Sequence, residues 1–105
     1  MPAWKFVGTY EIAGWLYNGM TREERVAFKA SPPKLALRPD VANTVDTYAV
    51  EVCAQDGGGV PRRVGFVPRP ANKLLASLVV LGDVFTATAA VEEAVPSFHL
   101  FVRRP

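Results

Sequence analysis

The chain has 105 residues, of which 50% are hydrophobic and 21% are charged, and this length suits one domain over residues 1–105. Such a composition is typical of globular proteins and argues against an intrinsically disordered chain. The formal charge of +2 permits a polyanionic partner without requiring one.

The first predicted element is rich in aromatic and β-branched residues. Residues 4–17 (WKFVGTYEIAGWLY) predict one long bent strand or two short ones. Gly8 and Gly14 would mark a bulge or a close approach of two backbones. The Asn18-Gly19 pair then predicts a turn.

A short helix is expected next. Thr21 and Glu24 match a capping box, in which each side chain bonds a free amide at the start of the helix. We expect the helix to run to about Lys29, because the sequence SPP at 31–33 ends it.

Two strands and a polar loop follow. Residues 34–38 predict one strand, and residues 47–54 predict a second, with Tyr48 on the same face as Val50. The loop between them, residues 39–46, is polar although the chain is half apolar. Binding residues lie disproportionately on such loops, so this loop is the first candidate for function.

The second half of the chain continues the β pattern. A glycine-rich connection at 55–59 leads to a predicted strand at 63–67. A helix follows, with Gly82 as its C-cap, and two closing strands are expected at 83–91 and 98–103. The apolar face of the helix would consist of Leu74, Leu75, Leu78, Val79 and Leu81.

The whole pattern predicts about six antiparallel strands and two short helices. Strands in this number usually close into a small barrel or curved sheet of the OB or SH3 type, with one helix at an end. We therefore expect a mainly β fold.

The sequence offers little chemistry for catalysis. His99 is the only histidine, and no spacing of histidine, cysteine or acidic residues indicates a metal site. A nuclease would need a metal-binding cluster such as Asp40, Asp46 and Glu51, but loop aspartates more often set the geometry of turns. We therefore expect a protein that is not an enzyme and has no cofactor.

Signals for export and membrane insertion are missing from the sequence. The first ten residues do not resemble a signal peptide, and the longest apolar run, residues 74–82, is too short to span a bilayer. Cys53 is the only cysteine, which excludes an internal disulfide, and we expect it to be buried and inert. These observations predict a soluble cytoplasmic protein.

Aromatic and basic residues suit binding better than catalysis. Small barrels hold single-stranded nucleic acid on aromatic platforms beside a basic groove, although aromatic residues in strands more often belong to the core. The candidates are Tyr10, Trp15, Tyr17 and Tyr48, with Arg38, Arg62, Arg63 and Arg69.

Four segments, in order, resemble the HIRAN family of small β-barrels, which occur in helicase-like remodelling proteins and in bacteria. The family pattern has an apolar strand with a Gly-aromatic segment, then a strand ending in Arg before an Asn-x-x-Asp loop. A Val-Gly-aromatic-x-Pro-Arg segment then precedes a helix. The matching segments are IAGWLYNG at 12–19, LALRPDVANTVDTYAVEV at 35–52, VGFVPR at 64–69 and ANKLLASLVVLG at 71–82.

Characterised HIRAN domains bind single-stranded DNA and capture its free 3′ end. The resemblance implies the same activity here, in DNA repair or replication, with a helicase or nuclease as a protein partner. At the positions that match the family pattern, Tyr17 would stack on the terminal base, and Asp46 would accept a hydrogen bond from the 3′-hydroxyl. Asn43 would shape the loop, and Arg69 would meet a phosphate. Arg38, which ends the preceding strand, completes the predicted DNA-binding set.

The sequence departs from the family at three positions. Val45 stands where DNA-binding members commonly have an aromatic residue or histidine, Thr44 replaces the usual proline, and Leu16 stands where an arginine can occur. These changes leave an alternative open, in which the barrel has lost the DNA site and serves as a protein-interaction or structural module. Neither the base preference nor the oligomeric state is indicated.

Overall fold

The computed structural model describes residues 4–55, 61–80, 85–91 and 94–103. Six β-strands, two α-helices and one 3-10 helix make up most of this part of the chain. In chain order they are β1 (Trp4–Glu11), the 3-10 helix (Trp15–Tyr17), α1 (Arg22–Ala30), β2 (Lys34–Pro39), β3 (Val50–Gln55), β4 (Arg62–Phe66), α2 (Ala71–Val80), β5 (Phe85–Ala90) and β6 (Ser97–Arg103).

The six strands form one antiparallel sheet in the order β1-β6-β5-β2-β3-β4. Just past the end of β1, the N–H and C=O groups of Ala13 exchange two hydrogen bonds of 2.9 Å with those of Phe66 in β4. The two edges of the sheet therefore meet, and the sheet closes into a small barrel. The mainly β fold with two short helices that the sequence predicts is confirmed.

Gly65 allows this closure, which we call the seam. A Cβ atom on Gly65 would lie 2.4 Å from Cγ2 of Ile12 and 2.5 Å from the carbonyl oxygen of Ala13. Both distances are far below van der Waals contact. Any residue with a side chain would therefore push the seam apart.

The interior of the barrel is apolar. The pairing of β2 with β3 places Leu37 opposite Val52 on the inner face and Arg38 opposite Glu51 on the outer face. Burial of the inner side chains supplies the main driving force for folding. The buried core consists of Ile12, Trp15, Met20, Phe28, Leu35, Val50, Val52, Val64, Val67, Leu75, Ala76, Ala87, Phe98 and Leu100.

Both α-helices contribute to this core. In α1, the Thr21 hydroxyl accepts from the Glu24 N–H at 3.1 Å, and the Glu24 carboxylate accepts from the Thr21 N–H at 3.0 Å. The predicted capping box is thus confirmed. Phe28 of α1 packs on Trp15 with ring centroids 4.9 Å apart, and α2 adds Leu75.

Within the described residues, no helix is long and apolar enough to cross a membrane.

The first predicted strand is too long. Trp15–Tyr17 form a 3-10 helix, because Gly14 adopts a left-handed conformation (φ 74°) and turns the chain out of the sheet. The predicted bulge near Gly8 is confirmed, since the register of β1 against β6 shifts between Phe6 and Gly8.

The predicted start of the third strand is also wrong. β3 begins at Val50 rather than Thr47, because Asp46 holds the intervening residues in a turn. The Asp46 side chain accepts from the Tyr48 N–H at 2.9 Å, and its carbonyl accepts from the Ala49 N–H at 3.2 Å. Tyr48 therefore does not share the inner face with Val50.

The remaining elements agree with the sequence prediction to within one residue at each boundary that the structure describes. The predicted start of the fifth strand at residue 83 lies outside the described residues. So do the glycines at 57–59, Leu81, the predicted C-cap Gly82, and the side chains of Leu74, Leu78 and Val79.

Candidate nucleic-acid interface

The polar loop between β2 and β3 is held by its own side chains. A 2.9 Å hydrogen bond from the Asp40 N–H to the Ala49 carbonyl closes its base. Oδ1 of Asn43 accepts from the N–H groups of Val45 at 3.0 Å and Asp46 at 2.8 Å. Nδ2 of Asn43 donates to the Asp40 carboxylate at 3.3 Å. Asn43 therefore fixes the backbone that carries Asp46.

The Asp46 carboxylate accepts hydrogen bonds from three donors. Its Oδ1 accepts from the Tyr48 N–H at 2.9 Å, and its Oδ2 accepts from Nε of Arg69 at 3.3 Å and Nδ2 of Asn72 at 3.0 Å. The Tyr48 N–H first, and then the positive charge of Arg69, hold the pKa of Asp46 below its usual value. The carboxylate is consequently ionised at neutral pH.

Asn72 connects the loop to the first turn of α2. Its side chain is almost completely buried, with 4% of the residue exposed. Buried amide groups require hydrogen-bond partners, and Asp46 supplies one. The position of the carboxylate thus depends on a helix as well as on its own loop.

Two adjoining depressions surround the Asp46 carboxylate. Their volumes are about 280 and 420 Å³, and both are lined by Val45, Asp46, Arg69 and Asn72. The first extends to the seam, and the second extends to Tyr48. We call the combined surface the Asp46 groove.

The walls of the Asp46 groove are aromatic, apolar and basic. On one side the Tyr48 ring is partly exposed, and Nζ of Lys73 lies 5.3 Å from its centroid. On the other side Phe66 lines the groove beside the seam. Val45 is 89% exposed and presents an apolar surface to the open groove.

Tyr17 lies outside the Asp46 groove. It is 90% exposed at the end of the 3-10 helix and lines a separate depression with Gly14 and Leu16. Ala13 lines the groove and Gly14 lines the other depression, so the two depressions lie on neighbouring parts of the surface.

Arg38 also lies outside the groove, on the outer face of the barrel. It donates through Nε to Oε2 of Glu51 at 2.7 Å, and this hydrogen bond raises the pKa of Arg38. Arg63 lies 3.7 Å from the other oxygen of Glu51. Cys53 is buried beside this group, as expected, and burial raises the pKa of its thiol.

No protein-family model matches the sequence, and no curated protein matches it significantly. Solved structures do match. A protein from Lactobacillus plantarum is similar with a TM-score of 0.76 and 17% identity, over 100% of both chains. The HIRAN domain of human HLTF is similar with a TM-score of 0.66 and 17% identity, over 95% of this chain and 78% of that chain. The chain has the HIRAN fold.

The HIRAN fold brings some of the predicted site residues together and leaves others apart. Asn43, Asp46 and Arg69 line the Asp46 groove. Tyr17 lies on the neighbouring surface, and Arg38 lies on the outer face. Of the predicted set, the structure thus brings Asn43, Asp46 and Arg69 together. The sequence did not indicate that Tyr48, Phe66 and Lys73 adjoin them.

Sequence reasoning missed Asn72 and Phe66 as groove residues. Asn72 lies 26 residues after Asp46 in the sequence, so only the fold reveals the hydrogen bond between them. The available signal was weak, namely an amide residue soon after Arg69. The sequence predicted that Phe66 lies in a strand. It did not predict the pairing of Phe66 with Ala13 at the seam, which places Phe66 beside the groove.

Other candidates from the sequence have structural roles. Trp15 is 3% exposed in the core, so it offers no stacking surface. Tyr10 packs on Phe98 with ring centroids 5.6 Å apart. Arg62 pairs with Glu24 and lines a depression beside α1 rather than the groove.

The acidic residues considered for a metal cluster have separate partners. Asp40 accepts from Asn43, Asp46 accepts from Arg69, and Glu51 lies on the outer face. Among the residues that the structure describes, no three histidine, cysteine or acidic side chains are grouped so as to hold a metal ion.

Proposed function

We propose that this chain is a non-catalytic module that binds single-stranded DNA and holds a free 3′-hydroxyl end in the Asp46 groove. The observation that carries the proposal is an ionised carboxylate, fixed by three donors, in an open groove with aromatic and basic walls. The resemblance to the HIRAN family supports DNA as the ligand. A cytoplasmic role in DNA repair or replication, beside a helicase or nuclease, is part of the same proposal.

The Asp46 carboxylate supports selection of a free end. An ionised carboxylate accepts a hydrogen bond from a 3′-hydroxyl, whereas it repels the phosphate that replaces this hydroxyl within a strand or on a phosphorylated end. Loss of one hydrogen bond to a charged group, with added repulsion, should lower affinity by about 10-fold or more.

Neighbouring residues suit the rest of a terminal nucleotide. Arg69 donates to Asp46 through Nε, and a guanidinium has further N–H donors that would meet a phosphate. The rings of Tyr48 and Phe66 offer stacking surfaces in the groove. Tyr17, which the resemblance assigns to the terminal base, lies on the neighbouring surface and would meet that base from outside the groove. Val45 offers no ring, and stacking supplies about 1–3 kcal/mol per base, so we expect weak binding.

Substitution of Asp46 tests this function. Asp46→Asn keeps an oxygen that accepts from the Tyr48 N–H, but it removes the charge. We expect the wild type to bind a 3′-hydroxyl oligonucleotide about 10-fold or more tightly than its 3′-phosphate analogue, and we expect D46N to bind both alike. Fluorescence anisotropy at low salt with labelled oligonucleotides measures both affinities.

The matched control is Glu23→Gln, which removes the same charge from an exposed position in α1. E23Q should keep the preference of the wild type for the free end. If the wild type binds the two oligonucleotides equally, end recognition is wrong. If it binds neither at low salt, DNA binding is wrong as well.

A second candidate function is protein interaction through exposed apolar side chains. Val41 and Val45 project from the loop, and Leu16 is exposed beside Tyr17. Exposed apolar side chains, where they are contiguous, often mark a protein interface. On this alternative, Val45→Asp should abolish self-association or partner binding while the thermal unfolding temperature stays unchanged. Sedimentation velocity of the wild type and V45D measures the first effect, and an unchanged profile counts against the alternative.

A further inference from the structure

The outer face of the barrel carries a basic strip next to the Asp46 groove. The strip consists of Arg38 in β2, Glu51 in β3 and Arg63 in β4, three neighbouring strands. Glu51 is nearly buried, with 8% of the residue exposed, whereas the two arginine side chains are 49% and 46% exposed. Both guanidinium groups face the Glu51 carboxylate, and Asp40 also interacts with Arg38, so the strip offers exposed N–H donors rather than a large excess of positive charge.

Glu51 orients both arginines. Its Oε2 accepts from Nε of Arg38 at 2.7 Å, and its Oε1 lies 3.7 Å from Nη1 of Arg63. A guanidinium has five N–H donors, so both arginines retain donors for another acceptor. Because these side chains are already oriented, less rotamer entropy would be lost when an anion binds to them.

Phe66 connects this strip to the Asp46 groove. The Arg63 guanidinium carbon lies 5.1 Å from the centroid of the Phe66 ring, which is the spacing of a cation–π contact. The same Phe66 lines the groove beside the seam. A continuous surface therefore runs from Asp46 across Phe66 to Arg63 and then to Arg38.

We propose that Arg63 and Arg38 bind the phosphates of the DNA strand on the 5′ side of the nucleotide held in the Asp46 groove, with Glu51 as a positioning residue. This inference rests on the proposed function and adds the path of the strand. The ring of Phe66 would carry a base between the two regions. The path follows strands β4, β3 and β2 across the outer face, away from the groove.

A comparison of two adjacent arginines tests the path. Arg62 and Arg63 are consecutive in β4, and their side chains are similarly exposed, at 48% and 46%. Arg62, however, pairs with Glu24 of α1 and not with Glu51. Arg63→Gln and Arg62→Gln thus remove the same charge from opposite faces of one strand. Affinity is measured by anisotropy over a range of salt for 3′-hydroxyl oligonucleotides of about two and about twelve nucleotides, because only the longer one extends past Phe66 to Arg63.

We expect R63Q to weaken binding of the longer oligonucleotide by about 10-fold at low salt and to leave the shorter one unchanged. The slope of log affinity against log salt should fall in magnitude by about 0.7 for each phosphate contact that is lost. R62Q should match the wild type in both respects. Arg38→Gln should reproduce the effect of R63Q, and it keeps the test valid if R63Q does not fold.

The outcomes separate this inference from the proposed function. If the wild type prefers a 3′-hydroxyl end but R63Q and R38Q bind the longer strand as R62Q does, the path is wrong and the function stands. Equal weakening of the longer strand by R62Q and R63Q also overturns the path, because only net charge would then matter. If the wild type binds no oligonucleotide, both proposals fall.

Discussion

At the scale of single residues, the charge of Asp46 depends on its neighbours. The Tyr48 N–H and the Arg69 guanidinium lower its pKa from the usual value of 3.8. A carboxyl group with a lowered pKa in the folded state stabilises the fold at pH values above its unfolded pKa. This contribution is lost as the pH falls through the folded pKa.

The first prediction follows from this sign. Asp46→Asn should lower the free energy of unfolding at pH 7, and its difference from the wild type should shrink below about pH 4, where the wild-type carboxylate takes up a proton. Urea denaturation at several pH values measures this difference. Glu23→Gln controls for net charge. A difference that stays constant down to pH 2 would show that the charge of Asp46 does not stabilise the loop.

At the scale of secondary-structure elements, the start of α1 is stabilised by residues within its own first turn. Thr21 and Glu24 satisfy two amide groups at the N-terminus of the helix, and Phe28 anchors its other end on the core. Thr21→Ala should cost about 1 kcal/mol in the free energy of unfolding, because one N-cap acceptor is lost. Urea denaturation measures this cost.

A matched threonine distinguishes the cap from general effects of the substitution. Thr44 is exposed in the loop between β2 and β3, so Thr44→Ala should change stability by less than about 0.5 kcal/mol. Equal effects of T21A and T44A would contradict a specific role for the cap.

The secondary-structure elements also show which features of the fold could be predicted from the sequence. The capping box was predictable, because its two residues lie within one turn of helix. The start of β3 was misplaced, because the alternating pattern continues through Tyr48, whereas hydrogen bonds to Asp46 from the N–H groups of Tyr48 and Ala49 hold these residues in a turn. The contacts of Asp46 with Arg69 and Asn72, far along the chain, could not be predicted at all. Residues near in sequence supplied the strands and helices, whereas the groove required contacts between distant segments.

The same limit applies to the aromatic residues. Sequence alone could not separate Trp15, which is buried in the core, from Tyr17, which is exposed only two positions later. The left-handed conformation at Gly14 turns the chain into a 3-10 helix, and the orientation of both rings follows from that turn. Alternation along a strand would have placed the two side chains on one face.

At the scale of the whole molecule, closure of the barrel depends on the seam. Gly65→Ala should lower the free energy of unfolding by about 1–3 kcal/mol, because its Cβ would collide with Ile12 and with the backbone of Ala13. The seam also forms one wall of the Asp46 groove, so DNA binding should weaken as well. Urea denaturation measures the first effect, and anisotropy measures the second.

The control for this substitution is Gly8→Ala. A Cβ atom at Gly8 would lie 3.1 Å from the hydroxyl oxygen of Tyr10, which is farther than either contact at Gly65 and belongs to a side chain rather than to the backbone. G8A should therefore cost less than G65A. If both cost the same, the tight approach at the seam does not limit stability.

The central claim is that the Asp46 groove holds a free 3′ end of DNA. Nuclear magnetic resonance of the 15N-labelled protein tests it most directly, because the side-chain amide of Asn72 and the N–H of Tyr48 both bond to the Asp46 carboxylate. We predict that a 3′-hydroxyl oligonucleotide shifts these two signals most and that its 3′-phosphate analogue shifts them much less. Equal shifts with both oligonucleotides, or shifts confined to another face of the barrel, would contradict the claim.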